Sequence, residues 1–315
     1  QDLGKLEEAR PLYEEALQAR RETLGDRHPD TLTSINNMGY LLKDMGKLEE
    51  ARPLYEEALK ARRETLGDHH PSTMIAISCM GGLLKATGQL NEAEPLLEEA
   101  LQAKRETLGD RHPHTLGSIN NMGLLLKEMG QLEDARPLYE EALQARRETL
   151  GDRHPNTLDS INNMGSLLEA MSQLQEAKPL FEEVLQTRRE TLGNRHPDTL
   201  ASVNNMGALL KKMGQLVEAG PLLEEALQAQ KGTSALISNL GLLLMDMGQL
   251  EEAKPLFEEA MLACRGTLGD RDPHTLLSIG NMGGLLMAMD NLEEAEPLYR
   301  EVLQACKETL GDRHP

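Results

Sequence analysis

Histidines are the first residues of this sequence whose spacing invites a chemical interpretation, because imidazole is a common zinc ligand. Similar loops carry one histidine each, directly before a proline, at His28, His70, His112, His154, His196 and His314. They recur once per sequence repeat, so neighbours should stand roughly 20 Å apart, two helix diameters of about 10 Å each. Zinc ligands must converge within about 2 Å of one ion. The sequence therefore predicts no metal site and assigns these histidines to loops or helix caps.

The other reactive side chains do not indicate catalysis. Cys264 and Cys306 occupy equivalent places in neighbouring repeats, and neither has a histidine–carboxylate arrangement that the other repeats lack. The Gly81-Gly82 pair falls within a helical segment instead of after a strand, so it is not a phosphate-binding loop. Acidic residues such as Glu49, three residues before Arg52, have the spacing of ion pairs on a solvated helix face. We therefore expect no enzyme activity and no cofactor.

The elements that carry these residues follow from an internal repeat. One proline recurs at 11, 53, 95, 137, 179, 221, 255 and 297, in steps of 42 residues except for one step of 34. The missing eight residues fall where Gln230-Lys231-Gly232-Thr233 replaces the usual Thr-Leu-Gly-Asp-Arg-His-Pro connection. A period of this length indicates a chain of stacked supersecondary units.

Each repeat contains two amphipathic helices. The first is predicted over about 30–45, where apolar residues recur at spacings of three and four, and it ends before Gly46. The second is predicted over 48–66 and stops at Gly67, after which Pro71 opens the next first helix. Short loops make such helices antiparallel pairs, and identical pairs stack identically. The sequence therefore predicts an all-α solenoid.

The residues at the helix contacts resemble the tetratricopeptide repeat. In one repeat they are Met38, Gly39, Gly46, Ala51, Tyr55, Ala58 and Leu59. The 42-residue period resembles the subclass found in kinesin light chains, and the 34-residue step equals the ordinary length of the family's repeat. The resemblance implies a right-handed superhelical solenoid that serves protein–protein interaction. It also implies that the methionines at one repeated position are buried, namely Met38, Met80, Met122, Met164, Met206 and Met282.

The expected organisation is a single tetratricopeptide repeat solenoid over residues 1–315. It consists of an unpaired second helix and loop at 1–29, then seven helix pairs at about 30–71, 72–113, 114–155, 156–197, 198–231, 232–273 and 274–315. No capping repeat is recognisable, so each end is expected to expose an apolar stacking face. No segment resembles the coiled coil through which a kinesin light chain joins its motor, so kinesin attachment is not implied.

The resemblance further implies that the first helices line a concave groove where extended peptides or partner helices bind. Two adjacent groove columns are mainly asparagine, whose amide can pair with both halves of a peptide unit. The first column holds Asn36, Ser78, Asn120, Asn162, Asn204, Ser238 and Gly280, and the second holds Asn37, Cys79, Asn121, Asn163, Asn205, Asn239 and Asn281. These amides either contact a bound peptide or tie neighbouring helices together. Repeat two, with Ser78 and Cys79, is the expected weak point of the groove.

Charged and apolar residues complete the predicted groove. Lys43, Lys85, Lys127 and Lys211 form a column suited to acidic side chains or a C-terminal carboxylate, unless they are merely solvated and balanced by acidic neighbours. Repeats six and seven carry apolar groove residues instead, at Leu242, Met245, Leu277, Gly284 and Met287. Such a stretch would accept varied hydrophobic side chains, although methionine at helical spacing is more often core.

Composition narrows the classes of partner and the compartment. The net charge of −19 opposes a grip on nucleic acid phosphate and disfavours anionic membrane surfaces. No apolar stretch approaches the ~20 residues that span a bilayer. Three cysteines cannot form a paired disulfide framework, which favours a reducing, cytoplasmic location.

The leading hypothesis is a scaffold that binds an extended segment of a partner protein in its groove. Replacing Asn120, Asn162 and Asn204 together with alanine is then expected to abolish binding and preserve helicity. One alternative is an architectural spacer, or a module that self-associates end to end through its apolar faces. Another is the sensor segment of a larger signalling protein.

Overall fold

The computed structural model describes residues 3–229 and 234–310, and every regular element within them is an α-helix. The helices are α1 (Leu3–Leu24), α2 (Pro29–Asp44), α3 (Leu48–Leu66), α4 (Pro71–Ala86), α5 (Leu90–Leu108), α6 (Pro113–Glu128), α7 (Leu132–Leu150), α8 (Pro155–Ala170), α9 (Leu174–Leu192), α10 (Pro197–Lys212), α11 (Leu216–Ala229), α12 (Ser234–Asp246), α13 (Leu250–Leu268), α14 (Pro273–Ala288) and α15 (Leu292–Leu310). The boundaries predicted for α2 and α3 are correct to within one residue. The Gln230–Thr233 connection and His314 lie outside the described residues.

Contacts between helices divide the chain into two units. The first unit, Gln1–Met171, holds α1 to α8, and the second unit, Ser172–Pro315, holds α9 to α15. Within each unit every helix packs against the next one along the chain. First helices of successive repeats also touch, α2 with α4 and α6 with α8 in the first unit, and α10 with α12 and α12 with α14 in the second. Each unit is therefore a stack of antiparallel helix pairs.

The histidines before the first helices are helix caps, as predicted. The Nδ1 atom of His154 accepts a hydrogen bond from the backbone N–H of Asn156 at 3.1 Å, and proline fills the first helical position. Asp272 makes the same cap before α14, where its Oδ1 accepts from the N–H of His274 at 2.8 Å. In the described parts of the chain no group of three histidine, cysteine or acidic side chains could hold a metal ion.

Close packing of first on second helices depends on one repeated glycine. A Cβ atom on Gly39 would lie 2.8 Å from Cε1 of Tyr55, and one on Gly123 would lie 3.0 Å from Cε1 of Tyr139. Both tyrosines are only 1% exposed. The repeated methionines predicted to be core are all buried: Met38, Met80, Met122, Met164, Met206 and Met282. The buried stripe and the missing Cβ fix which side of each first helix faces its second-helix partner, and that partner leaves the opposite side uncovered.

Ion pairs on the second helices link consecutive repeats. Arg105 in α5 donates to Glu141 in α7 at 2.7 Å, and Arg265 in α13 donates to Glu301 in α15 at 2.8 Å. The Glu141 contact is the main reason that the pKa of Arg105 is raised. Glutamates on the second helices therefore take part in contacts between repeats. No helix in the described residues is long and apolar enough to cross a lipid bilayer.

Candidate functional site

The candidate site is built on the first helices, on the side away from their second-helix partners. In repeats one and two this side exposes large apolar residues, with Tyr40 at 56% and Ile75 at 53% exposed. Asn37 and Asn121 are also exposed, and neither side chain forms a hydrogen bond within the described residues. The groove positions predicted in repeats one to three therefore present two free amides, Asn37 and Asn121, and two exposed apolar side chains, Tyr40 and Ile75.

Other asparagines of the two columns bond to each other between repeats. Nδ2 of Asn163 donates to Oδ1 of Asn120 at 2.9 Å, within the first unit. In the second unit, Nδ2 of Asn239 donates to Oδ1 of Asn204 at 2.7 Å. Each bond runs from the second-column residue of one repeat to the first-column residue of the preceding repeat. We call these two pairs the asparagine ladder, and they realise the helix-tying role that the sequence left open.

The hydrogen bonding of the remaining column residues depends on the residue that each one faces in the adjacent repeat. Asn36 is buried, and its Nδ2 lies 3.4 Å from the sulfur of Cys79, while its Oδ1 has no hydrogen-bond partner. The ladder partner of Asn121 would be the first-column residue of the preceding repeat, which is Ser78 and not an asparagine. This difference accounts for the free amide of Asn121. Asn162 and Asn205 are half-buried, and both have interaction partners.

The lysine column is half-buried and lies on the same face. Lys43 stands over the ring of Tyr40, with Nζ 5.7 Å from the centroid. Lys85 pairs with Glu128 at 3.2 Å and Lys211 with Asp246 at 3.3 Å, each acid coming from the next repeat. Lys127 donates to the hydroxyl of Ser166. Internal balancing therefore applies to Lys85 and Lys211, whereas Lys43 has no acidic partner in the described part of the chain.

Buried cations on the second helices are a feature that sequence reasoning missed. The guanidinium of Arg146 donates to the carbonyl of Asn156 at 2.9 Å and to the hydroxyl of Ser160 at 2.7 Å, which ties α7 to α8. Arg188 makes the same tie in the second unit, to Asp198 and Ser202. The signal was present as a column of basic residues with serine fourteen positions later, at Arg20 and Ser34, Lys104 and Ser118, Arg146 and Ser160, and Arg188 and Ser202.

Lys104 is the exception in this column. Its shorter side chain donates to the hydroxyls of Ser118 at 2.7 Å and Ser78 at 3.0 Å, and not to the backbone carbonyl that the arginines reach. Ser78 belongs to α4, so the ammonium is turned towards the first-helix face of repeat two. Desolvation lowers the pKa of Lys104.

A cavity of about 330 Å³ opens at this point of the first unit. Lys43, Lys85 and Lys104 line it together with Ser78, Cys79 and Ile75. We call it the repeat-two cavity. The expectation that repeat two is the weak point of the groove stays a prediction, but the small side chains behind that expectation are also what opens the cavity.

The apolar groove residues predicted for repeats six and seven divide into two sets in the second unit. Leu277 is 62% exposed and Met287 is 52% exposed, and both belong to α14. Leu242 and Met245 instead pack, partly buried, against the core formed by Phe257, Leu285 and their neighbours. A smaller cavity of about 200 Å³ is lined by Leu242, Leu277 and surrounding amide and hydroxyl groups.

Comparison with models of known protein families supports this repeat architecture. Tetratricopeptide repeat profiles match residues 1–64, 32–78, 72–148, 115–188 and 158–232, and then 233–274 and 275–315. The chain belongs to the tetratricopeptide repeat family. Tetratricopeptide repeat proteins are generally scaffolds for protein–protein interaction without catalytic activity.

Solved structures resemble this tetratricopeptide repeat chain in fold. The nearly identical TPR-like repeats of a Podospora anserina protein described as a kinesin light chain are 30% identical, over 64% of this chain and 96% of theirs, with a TM-score of 0.57. The apo form of the quorum sensor NprR from B. thuringiensis aligns over 96% of this chain and 82% of its own with a TM-score of 0.67. Its 17% identity shows the fold alone. No curated protein matches the chain in sequence. The repeats are thus of the kinesin light chain-like kind.

Proposed function

We propose that the first helices of this chain bind an extended segment of a partner protein. The observation that carries the proposal is the pair of exposed, unpartnered amides of Asn37 and Asn121, which lie on the same face as exposed Tyr40 and Ile75. A free amide can donate to a peptide carbonyl and accept from a peptide N–H, so it recognises backbone without regard to sequence. The apolar side chains of Tyr40 and Ile75 would bury further surface against the side chains of the partner.

The ladder decides which residues test this proposal cleanly. Asn120 and Asn204 accept hydrogen bonds from the next repeat, so replacing them removes inter-repeat bonds together with any ligand contact. If the combined Asn120, Asn162 and Asn204 replacement lost binding, the loss could come either from weaker folding or from missing ligand contacts. Asn37 and Asn121 are better targets, since no hydrogen bond of the described structure depends on their side chains.

The test is a random-peptide display selection on the unmodified chain, followed by binding assays on two double variants. Peptides enriched on the unmodified chain should lose most of their affinity for Asn37→Ala/Asn121→Ala. They should keep it for the control Glu56→Ala/Glu140→Ala, which changes exposed carboxylates of the second helices. An absence of enriched peptides, or equal binding to both variants, would contradict the proposal.

A second candidate function is self-association, which exposed apolar residues of the end helices favour. Helix α1 exposes Leu12 at 66% and Tyr13 at 41%, and α15 exposes Leu292 at 58% and Leu303 at 57%. Burial of such residues between copies of the chain would be favourable. Sedimentation velocity over a range of concentrations tests this candidate, and a monomer at every concentration would exclude it.

A further inference from the structure

The repeat-two cavity is cationic in a strongly acidic protein. Three lysines and no carboxylate line it, although the chain carries a net charge of −19. Lys85 is balanced by Glu128, but Lys43 contacts only an aromatic ring, and Lys104 contacts only hydroxyl groups. Two of the three positive charges thus have no acidic partner within the described residues.

Lys104 is the most costly of these charges to bury. It is only 9% exposed, and a buried cation without a counter-charge is unfavourable unless its donors are satisfied. An ammonium group has three N–H donors, and the two serine hydroxyls use two of them. One donor is therefore left for a group that enters the cavity, and an anion would supply the missing charge as well.

Small residues at three positions of α4 open the space for such a group. Ser78, Cys79 and Gly82 all line the cavity, whereas repeat one has Asn36, Asn37 and Tyr40 at the corresponding positions. The free amide of Asn121 also lines it. An entering group would therefore meet two unbalanced ammonium groups and a neutral amide donor.

We propose that the repeat-two cavity binds one anionic group, a carboxylate or a phosphate, carried by the segment that occupies the first-helix face. The inference rests on the proposed function and names the chemistry of its partner. A glutamate or aspartate side chain and a phosphorylated serine are the two sources of such a group. Lys104 and Lys43 supply the charge, and Asn121 contributes a neutral hydrogen bond.

The test uses three pools of short degenerate peptides whose fixed central residue is glutamate, phosphoserine or glutamine. Fluorescence anisotropy on the full chain should show that at least one anionic pool binds about tenfold more tightly than the glutamine pool, as expected for a charge-assisted hydrogen bond. Comparing the two anionic pools identifies the source. The preference should disappear in Lys104→Met and shrink in Lys43→Met.

Lys60→Met is the matched control, because it removes the same charge from an exposed position of α3. If Lys104→Met does not fold, Lys43→Met decides the test. Equal binding of all pools overturns the anion site, and so does a preference that survives both cavity variants. In either case the peptide-binding proposal can still stand.

If no pool binds, the peptide-binding proposal fails, and inorganic phosphate decides the anion site alone. Phosphate should then raise the melting temperature above that in chloride of equal ionic strength. The rise should occur in the unmodified chain and in Lys60→Met, and it should be absent from Lys104→Met, or from Lys43→Met if Lys104→Met does not fold. A melting temperature that does not respond to phosphate overturns the inference.

Discussion

At the scale of single residues, an asparagine amide is bonded between repeats or free according to its neighbour. Asn163 meets Asn120 in the preceding repeat and becomes part of the asparagine ladder, whereas Asn121 has Ser78 at the partner position of the preceding repeat and keeps a free amide. Cys79 interrupts the ladder, because a thiol cannot offer the N–H that Oδ1 of Asn36 lacks. The local sequence of adjacent repeats thus decides where amides hold the stack and where they are available to a ligand.

Restoring the ladder in repeat two should stabilise the protein. In Cys79→Asn, the Asn36 amide, whose Nδ2 now faces position 79, can turn by 180° and accept a hydrogen bond on Oδ1, which is buried and unpaired in the present structure, from the new Nδ2. Satisfying a buried acceptor is expected to raise the free energy of unfolding by about 1 kcal/mol. Urea unfolding followed by far-UV circular dichroism measures the change. Cys79→Ala, which removes the thiol without adding an amide, is the control and should give no gain; equal stability of the two variants would contradict the ladder account.

At the scale of elements, two glycines of α6 separate helix propensity from helix packing. A Cβ on Gly117 would meet no atom within 4 Å, whereas one on Gly123 would lie 3.0 Å from Cε1 of Tyr139. Both residues lie inside the same helix, Pro113–Glu128. Substitutions at these two positions therefore share their backbone setting and differ in what the new methyl group touches.

Alanine at the two positions should change stability in opposite directions. Gly117→Ala is expected to stabilise by about 1 kcal/mol, because alanine loses less backbone entropy in a helix. Gly123→Ala is expected to destabilise by roughly 1–3 kcal/mol, because the methyl group pushes α6 away from the buried Tyr139 ring. Thermal and urea unfolding of each variant measure both effects. A neutral Gly123→Ala would show that the helices are not held at the distance that the structure gives.

The sequence predicts the elements better than the contacts between repeats. Proline and glycine mark most connections between helices, so the predicted ends of α2 and α3 agree with the structure to within one residue, and the repeated Met38 position is correctly assigned to the core. The asparagine ladder was one of two open interpretations, because it depends on the tilt and spacing of stacked helices. The contact of Lys104 with Ser78 in α4 was not predicted, because periodicity alone indicates that a basic residue on a second helix is exposed to solvent.

At the scale of the whole molecule, the buried basic ties within the two units do not extend to the last repeats. Arg146 makes such a tie in the first unit, and Arg188 makes one in the second. In the second unit, Cys264 stands at the equivalent position after the shortened repeat, and its sulfur has only a 3.4 Å contact with the hydroxyl of Ser278. The repeats of a solenoid stabilise one another through their interfaces, so a weaker interface lowers local stability.

We therefore expect α13 and α14 of the second unit to open first. Native-state hydrogen exchange should show faster exchange in α13 and α14 than in α5 to α7. Cys264→Arg should narrow this difference, because an arginine there can reach the carbonyl of His274 and the hydroxyl of Ser278 as Arg146 reaches Asn156 and Ser160. In α13 and α14 the free energy of exchange should rise by about 1 kcal/mol, which is the stabilisation left when the cost of burying the charged arginine is subtracted from the gain of its hydrogen bonds. Cys264→Ala, which adds no donor, should leave the difference in place. Uniform protection of both units would mean that the buried ties do not set the order of opening.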